Sequence, residues 1–131
     1  MKESLDQKRA RFAWEKVQGR SGEYTKLAKG APALIMQSGL MPVLAFLNDK
    51  GKEHHKALLA SLCEWLYERF KPRVGNAEFR TVMKALMGDA QGPAAEHARF
   101  YQQATQEAMA LLRWIRQFAA AVAGGEGGRD G

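Results

Sequence analysis

A long helical repeat in the last third of the chain is the feature that most constrains the fold. Between Pro93 and Val122, mostly apolar residues return with the 3.6-residue period of an α-helix over about 29 residues, roughly 43 Å. Members of this stripe are Tyr101, Ala104, Thr105, Ala108, Leu111, Leu112, Ile115, Phe118, Ala119 and Val122. A helix with one apolar face is stable only when other elements cover that face. The pattern therefore predicts a bundle built around a long last helix.

Five shorter segments with helical periodicity precede it, separated by glycine, proline or capping residues. Their expected bounds, caps included, are Ser4 to Gln18, Ser21 to Gly39, Pro42 to Gly51, Glu53 to Phe70 and Asn76 to Gly88. Gly39 is expected to end its helix in the left-handed conformation. Pro32 lies inside the second segment, where it lacks a backbone N–H, so we expect a kink there or a new start after Gly30.

The fold class predicted from these patterns is all-α. We expect a compact bundle of about six helices with a long C-terminal helix, because no segment shows the alternation of a strand. Residues 1–123 should form one helical domain, and residues 124–131, which include five glycines, a flexible tail.

The composition of the chain indicates the cellular compartment in which the protein is expected. No apolar run reaches the roughly 18 residues that a bilayer span requires, and Met1 to Ser4 do not open a secretory signal. A single cysteine cannot form an internal disulfide, so nothing indicates an oxidising compartment. We therefore expect a cytoplasmic protein that does not enter the membrane.

The chain is basic, and its positive charge is unevenly distributed. Its 131 residues carry a formal charge of +6, and residues 2–29 hold eight of the twenty Lys and Arg against four acids. A positive field of this size favours contact with polyanions such as nucleic acid. The alternative is that the charge only keeps the protein soluble.

Candidate RNA-binding residues are basic side chains on the first helix and its exit, on the second helix, at the turn after the third helix and on the last helix. They are Lys8, Arg9, Lys16, Arg20, Lys29, Lys50, Arg113 and Arg116. On the last helix the arginines share one side with several glutamines, which donate hydrogen bonds to phosphate and sugar oxygens. Aromatic stacking platforms are not apparent, since Tyr24, Tyr67 and Tyr101 are scattered, so any RNA should be held by its backbone without base specificity. Each of these faces could also be merely solvated.

The sequence shows no pattern typical of catalysis, of a metal site or of a cofactor site. His54 and His55 are adjacent and point about 100° apart on a helix, so they cannot chelate one ion together. Cys63 lies among leucines and is expected to be a buried structural thiol. We expect a non-catalytic protein.

Glu107 is the unusual charge of the last helix, because it lies on the apolar stripe. A carboxylate there must find a partner or bear the free-energy cost of desolvation. Our hypothesis is an ion pair with Arg9 or Arg11 of the first helix. A catalytic glutamate is the alternative, but no second acid or base accompanies it.

Three blocks of the sequence, in order, resemble the small helical subunit of the type III-B CRISPR effector, the Cmr complex. The first and weakest is Gln7-x-Arg9 with Ala13 and Val17. The second is Pro32 to Lys50, in which two apolar helical stretches meet at Ser38-Gly39-Leu40 and a lone lysine precedes Gly51. The third is Tyr101 to Ala119, which carries Glu-Ala, Leu-Leu and Trp-x-Arg elements within residues 104–119.

The resemblance implies an all-helical protein without nuclease activity that packs along the effector, with the guide–target RNA duplex between it and the backbone subunits. Implied partners are the backbone subunit, the large polymerase-like subunit, neighbouring copies of the chain itself, and guide and target RNA. Positively charged positions that match the family's motifs are Arg9, Lys29, Lys50 and Arg116. The family often has a second basic residue after Arg116, where this chain has Gln117.

The resemblance assigns no role to the region between Gly51 and Gln91. It is also compatible with a monomer when the chain is isolated, because subunits that stack on a shared frame need little pairwise affinity. The alternative function is a free-standing helical adaptor that binds a protein partner and no nucleic acid.

Overall fold

The computed structural model describes residues 2–88 and 91–126, which form an all-α bundle. Its helices are α1 (Leu5–Lys16), α2 (Gly22–Ser38), α3 (Leu40–Lys50), α4 (Glu53–Phe70), α5 (Phe79–Met87) and α6 (Ala94–Glu126). No strand occurs in these described residues. The all-α prediction with a long last helix is confirmed. Of the tail expected at residues 124–131, residues 127–131 lie outside the described part of the chain.

The N-terminal capping residues of α1 and α2 are Ser4 and Ser21, at the positions predicted from the sequence. Ser4 and Gln7 form a reciprocal capping box, and the Ser21 hydroxyl accepts the Tyr24 N–H. The expected N-cap of α5 at Asn76 is wrong: the helix begins two residues later, with Glu78 as its cap. The Asn76 side chain instead accepts the Glu78 N–H at 2.9 Å, which forms a local turn before the helix.

The sequence predicted either a kink at Pro32 or a new start after Gly30. Helix α2 runs through Pro32 as one helix, so the new start did not occur. Buried Ala28, Ala31 and Ile35 pack into the core on both sides of the proline. This packing along the whole face offsets the hydrogen bond that the proline cannot donate.

Gly39 is the single residue between α2 and α3, and its conformation differs from the expected one. Its φ is +98° as anticipated for a glycine, but its ψ of 162° is extended rather than left-handed helical. The Gly39 N–H donates to the Ile35 carbonyl at 2.7 Å, and its own carbonyl accepts the Val43 N–H at 3.4 Å. One glycine therefore ends α2 and begins α3 without a loop.

Helix α6 is the central element, in contact with α1, α2, α4 and α5. Leu111, Leu112 and Ile115 are fully buried in the middle of the helix. Lys29 of α2 lies beside Arg116, whereas Gly39 lies beside Tyr101, so α2 and α6 run in opposite directions. In the described part of the chain, no helix is long and apolar enough to span a bilayer.

Candidate nucleic-acid interface

Glu107 is almost fully buried, and donors from two other helices satisfy its carboxylate. Arg9 donates from Nε to Oε1 at 3.0 Å and from Nη2 to Oε2 at 2.6 Å. Trp65 Nε1 donates to Oε1 at 2.9 Å, and Arg69 Nε lies 3.2 Å from Oε2. The ion pair expected between Glu107 and an arginine of α1 is confirmed, and the partner is Arg9 rather than Arg11.

These contacts determine the ionisation of Glu107. Burial alone would raise its pKa, but the hydrogen bonds from Arg9 and Trp65 and the charges of Arg9 and Arg69 outweigh burial and hold the pKa below its ordinary value. The group is thus a carboxylate at neutral pH, with each oxygen already accepting from a neighbour. Glu107 joins α1, α4 and α6, and it is not poised to transfer a proton.

Sequence analysis missed Arg69 as a member of this cluster, since it gave no role to the region after Gly51. A usable signal was present, because Trp65 and Arg69 are four residues apart and therefore share one face of α4. This face of α4 could therefore have been searched for a further partner of the Glu107 carboxylate.

Three of the predicted RNA-binding residues on α1 and its exit are engaged within the bundle. The Arg9 guanidinium contacts Glu107, and Lys16 Nζ lies 2.6 Å from Glu64 Oε1. Arg20 Nε donates to the Lys16 carbonyl at 2.7 Å, and its guanidinium lies 5.4 Å from the centre of the Tyr24 ring. The structure therefore does not bring these three together as a strip of unpaired cations.

Lys8 and Lys50 occupy two further places. Lys8 lines a cleft of about 500 Å³ between α1 and α4, where acidic side chains such as Glu15 and Glu68 balance the basic ones. Lys50 Nζ, at the end of α3, lies 5.7 Å from the centre of the Phe46 ring. Neither lysine lines the depression that holds the remaining candidates.

The remaining three predicted residues meet at the seam between α2 and α6. Lys29, Arg113 and Arg116, here called the basic cluster, line a depression of about 190 Å³ together with Gln117. All three cations are exposed, and within the described residues none of them forms an ion pair. This distinguishes them from Arg9 and Lys16, whose charges are neutralised by neighbouring carboxylates.

Two guanidinium groups and an ammonium group without carboxylate partners form a suitable site for phosphate. Arginine presents a planar fork of donors that matches phosphate oxygens, and lysine adds a compact charge. The Gln117 amide, which also lines the depression, supplies a further donor. The side chains that line this depression are therefore chemically suited to bind phosphate.

Burial and neighbouring charges also shift the pKa values of Cys63 and His55. Burial, followed by the nearby charge of Glu64, raises the pKa of the Cys63 thiol to about 12, so it stays protonated and unreactive at neutral pH. Buried His55 has its pKa lowered by burial and by the neighbouring charges of His54, Lys50 and Lys52. Among the described residues, no group of three His, Cys, Asp or Glu could hold a metal ion.

Comparisons with known proteins agree on one family. The family model described as CRISPR-associated protein (Cas_Cmr5) matches residues 5–122. The protein named CRISPR system Cmr subunit Cmr5, from Thermus thermophilus, is 34% identical over 121 residues, which is 86% of this chain and 90% of that protein. A crystal structure of a Cmr5 family protein from the same organism superposes with a TM-score of 0.68 at 30% identity, and the match covers 92% of this chain and 97% of that one.

Proposed function

This chain belongs to the Cmr5 family of CRISPR-associated proteins, and from that premise we propose that it is a non-catalytic small subunit of a cytoplasmic type III-B Cmr complex. In this proposal it stacks along the complex in antiviral defence and contacts guide or target RNA through the phosphate backbone. The match of the family model to residues 5–122 is the observation that carries the proposal.

The basic cluster is the part of the surface that we assign to RNA. Lys29 and Arg116 are family-motif positions that also share one depression, and Arg113 joins them there. Their charges are free, so phosphate binding does not require an existing ion pair to break. Arg9 and Lys16, in contrast, are proposed to act within the bundle, because moving either side chain to RNA would break its ion pair with Glu107 or with Glu64.

Charge reversal of the whole cluster tests this assignment. The variant Lys29→Glu/Arg113→Glu/Arg116→Glu should bind single-stranded RNA at least about tenfold more weakly at low salt. The log–log salt slope should fall by about 2, since each phosphate contact on a single strand contributes about 0.7. Fluorescence anisotropy with a labelled oligonucleotide over a salt series measures both quantities.

A control variant separates this site from net charge. Lys2→Glu/Lys56→Glu/Arg80→Glu changes three exposed cations elsewhere and brings the formal charge from +6 to 0, as the cluster variant does. We expect it to retain most of the affinity and slope, and circular dichroism should show equal helicity for both variants. Equal losses in the two variants would argue against a specific site at the basic cluster.

Co-purification tests the wider proposal. A tagged chain expressed in its host should bring down the backbone subunit, the large polymerase-like subunit and guide RNA. Recovery of protein partners without RNA, together with no RNA retention by the pure protein at low salt, would favour the protein-only adaptor instead.

In dilute solution the isolated protein is expected to be a monomer. Copies that sit side by side on one RNA-bound frame profit from a high effective concentration, so they need only weak mutual contacts. Sedimentation velocity between nanomolar and micromolar protein should give a single species of 14.6 kDa. A dimer that persists at nanomolar concentration would contradict this.

A further inference from the structure

One aromatic ring of α1 and two of α6 pack together at the seam between these helices. Trp14 of α1 packs edge-on against Phe118 with ring centroids 5.3 Å apart, and Phe118 lies 5.4 Å from the Trp114 ring. We call Trp14, Trp114 and Phe118 the aromatic patch. Because 100 residues separate Trp14 from Trp114 in the sequence, this cluster has no sequence signature.

The patch is open to solvent. Trp14 is 49% exposed, whereas Trp65 at the Glu107 cluster is 5% exposed. Trp114 and Phe118 are partly buried, and Trp114 Nε1 donates to Asp6 Oδ1 at 3.0 Å, which fixes the orientation of that indole. The packed rings therefore present a half-exposed indole on a rigid support.

The patch adjoins the basic cluster. Arg113 directly precedes Trp114 and Gln117 directly precedes Phe118, so both groups occupy neighbouring faces of the same turns of α6. From Arg113 to Phe118 the helix advances only about 7.5 Å. Asp6, an acidic group at the patch, is paired with Arg9 and accepts the hydrogen bond from Trp114 Nε1, and it also lies within electrostatic reach of Arg113.

We propose that the aromatic patch stacks an unpaired base of the RNA strand whose phosphates the basic cluster holds. This inference rests on the proposed function and specifies its ligand further: the strand must offer at least one unstacked base beside the bound phosphates. Single-strand binders combine the same two elements, a cationic surface along the backbone and aromatic rings for bases. Every base has a flat face that can stack on an aromatic ring, so the patch would add affinity without base specificity.

Charge favours RNA over a protein as the occupant. Free cations adjoin the aromatic rings, while the acidic side chain at the patch is neutralised within the molecule. A polyanion with flat, apolar bases complements both features at once. In this respect the proposal differs from the expectation from sequence, which is that RNA is held by its backbone alone.

The test compares Trp14→Ala with Trp14→Phe in the full chain, using labelled single-stranded RNA. Trp14→Ala should weaken binding by about tenfold, in line with the loss of one stacked base, and leave the salt slope unchanged because no phosphate contact is lost. Trp14→Phe should bind within about threefold of the wild type, since it keeps an aromatic face. Quenching of tryptophan fluorescence on binding should largely disappear in Trp14→Phe although affinity remains.

A second arm uses an abasic oligonucleotide, in which every nucleotide keeps its sugar and phosphate but lacks its base. It should bind the wild type more weakly than ordinary RNA does, and it should bind the wild type and Trp14→Ala equally well, because both changes remove the same contact. Equal RNA affinity of wild type and Trp14→Ala would overturn the stacking proposal while leaving the proposed RNA-binding function intact.

Loss of assembly with the other subunits in Trp14→Ala, with unchanged RNA affinity, would identify the patch as a protein contact and also overturn the proposal. Failure of the wild type to bind any RNA would instead reject the proposed function and this inference together.

Discussion

Replacement of Glu107 by Gln is expected to lower the free energy of unfolding by about 3 kcal/mol, the lower end of the range for breaking a buried ion pair. The neutral amide leaves the Arg9 guanidinium, which is 18% exposed, with only the exposed carboxylate of Asp6 as a counter-charge. Arg69 is 34% exposed and partly solvated, and for that reason we place the effect at the lower end. Thermal or urea unfolding followed by circular dichroism measures the change, with a fall in Tm of about 10 °C.

Glu64→Gln is the matched control. Glu64 also forms a pair at 2.6 Å, with Lys16, but its side chain is 41% exposed, so its loss should change stability by less than about 1 kcal/mol. If Glu107→Gln and Glu64→Gln unfold at the same denaturant concentration as the wild type, the Glu107 cluster does not hold α1, α4 and α6 together.

The same contact predicts a dependence on pH. The folded-state pKa of Glu107 lies below its ordinary value of 4.5, so its contribution to stability is fully present above about pH 5 and is lost as the pH falls through the folded-state pKa. The difference in stability between wild type and Glu107→Gln should therefore be constant above about pH 5 and shrink as the pH falls below 4.5 toward the folded-state pKa of Glu107. A difference that does not shrink below pH 4.5 would show that the carboxylate is not stabilised by its arginines.

The second large effect is expected at Gly39, where Ala should lower the free energy of unfolding by about 2 to 4 kcal/mol. With φ of +98° and ψ of 162°, Gly39 occupies a region that is almost closed to residues with a Cβ. An added Cβ would also lie 3.2 Å from the Tyr101 hydroxyl oxygen. That oxygen accepts the Met41 N–H at 3.0 Å, so its displacement would leave a donor at the start of α3 without a partner.

Two further variants separate the causes. Gly30→Ala changes an exposed glycine inside α2 with no atom within 4 Å of the new Cβ, and it should stabilise the protein by up to about 1 kcal/mol. Tyr101→Phe removes only the hydroxyl and should cost about 1 kcal/mol. Urea unfolding of the three variants gives the comparison. Equal stability of Gly39→Ala and Gly30→Ala would show that the connection between α2 and α3 is not strained by a side chain.

Periodicity and punctuation were sufficient to predict the helices. The bounds expected for α4, Glu53 to Phe70, agree residue by residue with the structure. The helix ends at Phe70 because Pro72 keeps the preceding residue, Lys71, in an extended conformation. The start of α5 was placed two residues early, since an Asn side chain can bond the backbone either in an N-cap or in a turn before one. Helix α2 continues past Pro32 because Ala28, Ala31 and Ile35 pack in the core. Local helix propensity does not include this tertiary packing.

For the candidate site, the sequence named the right kinds of residue but not their grouping. Lys29, Arg113 and Arg116 were among eight predicted cations, and nothing in the order of residues distinguished them from Arg9 or Lys16. The difference is the presence of carboxylates across the bundle, Glu107 for Arg9 and Glu64 for Lys16.

The sequence by itself determined the all-α class, the long last helix, the need of Glu107 for a cationic partner and the family of the chain. These follow from local periodicity, from the cost of burying an isolated charge and from ordered motifs. Only the tertiary structure decided which cations remain unpaired, that Arg69 joins Glu107, and that Trp14 packs against Phe118, the ring that also contacts Trp114. Such contacts join residues tens of positions apart, and their geometry depends on how whole helices pack, which no local pattern encodes.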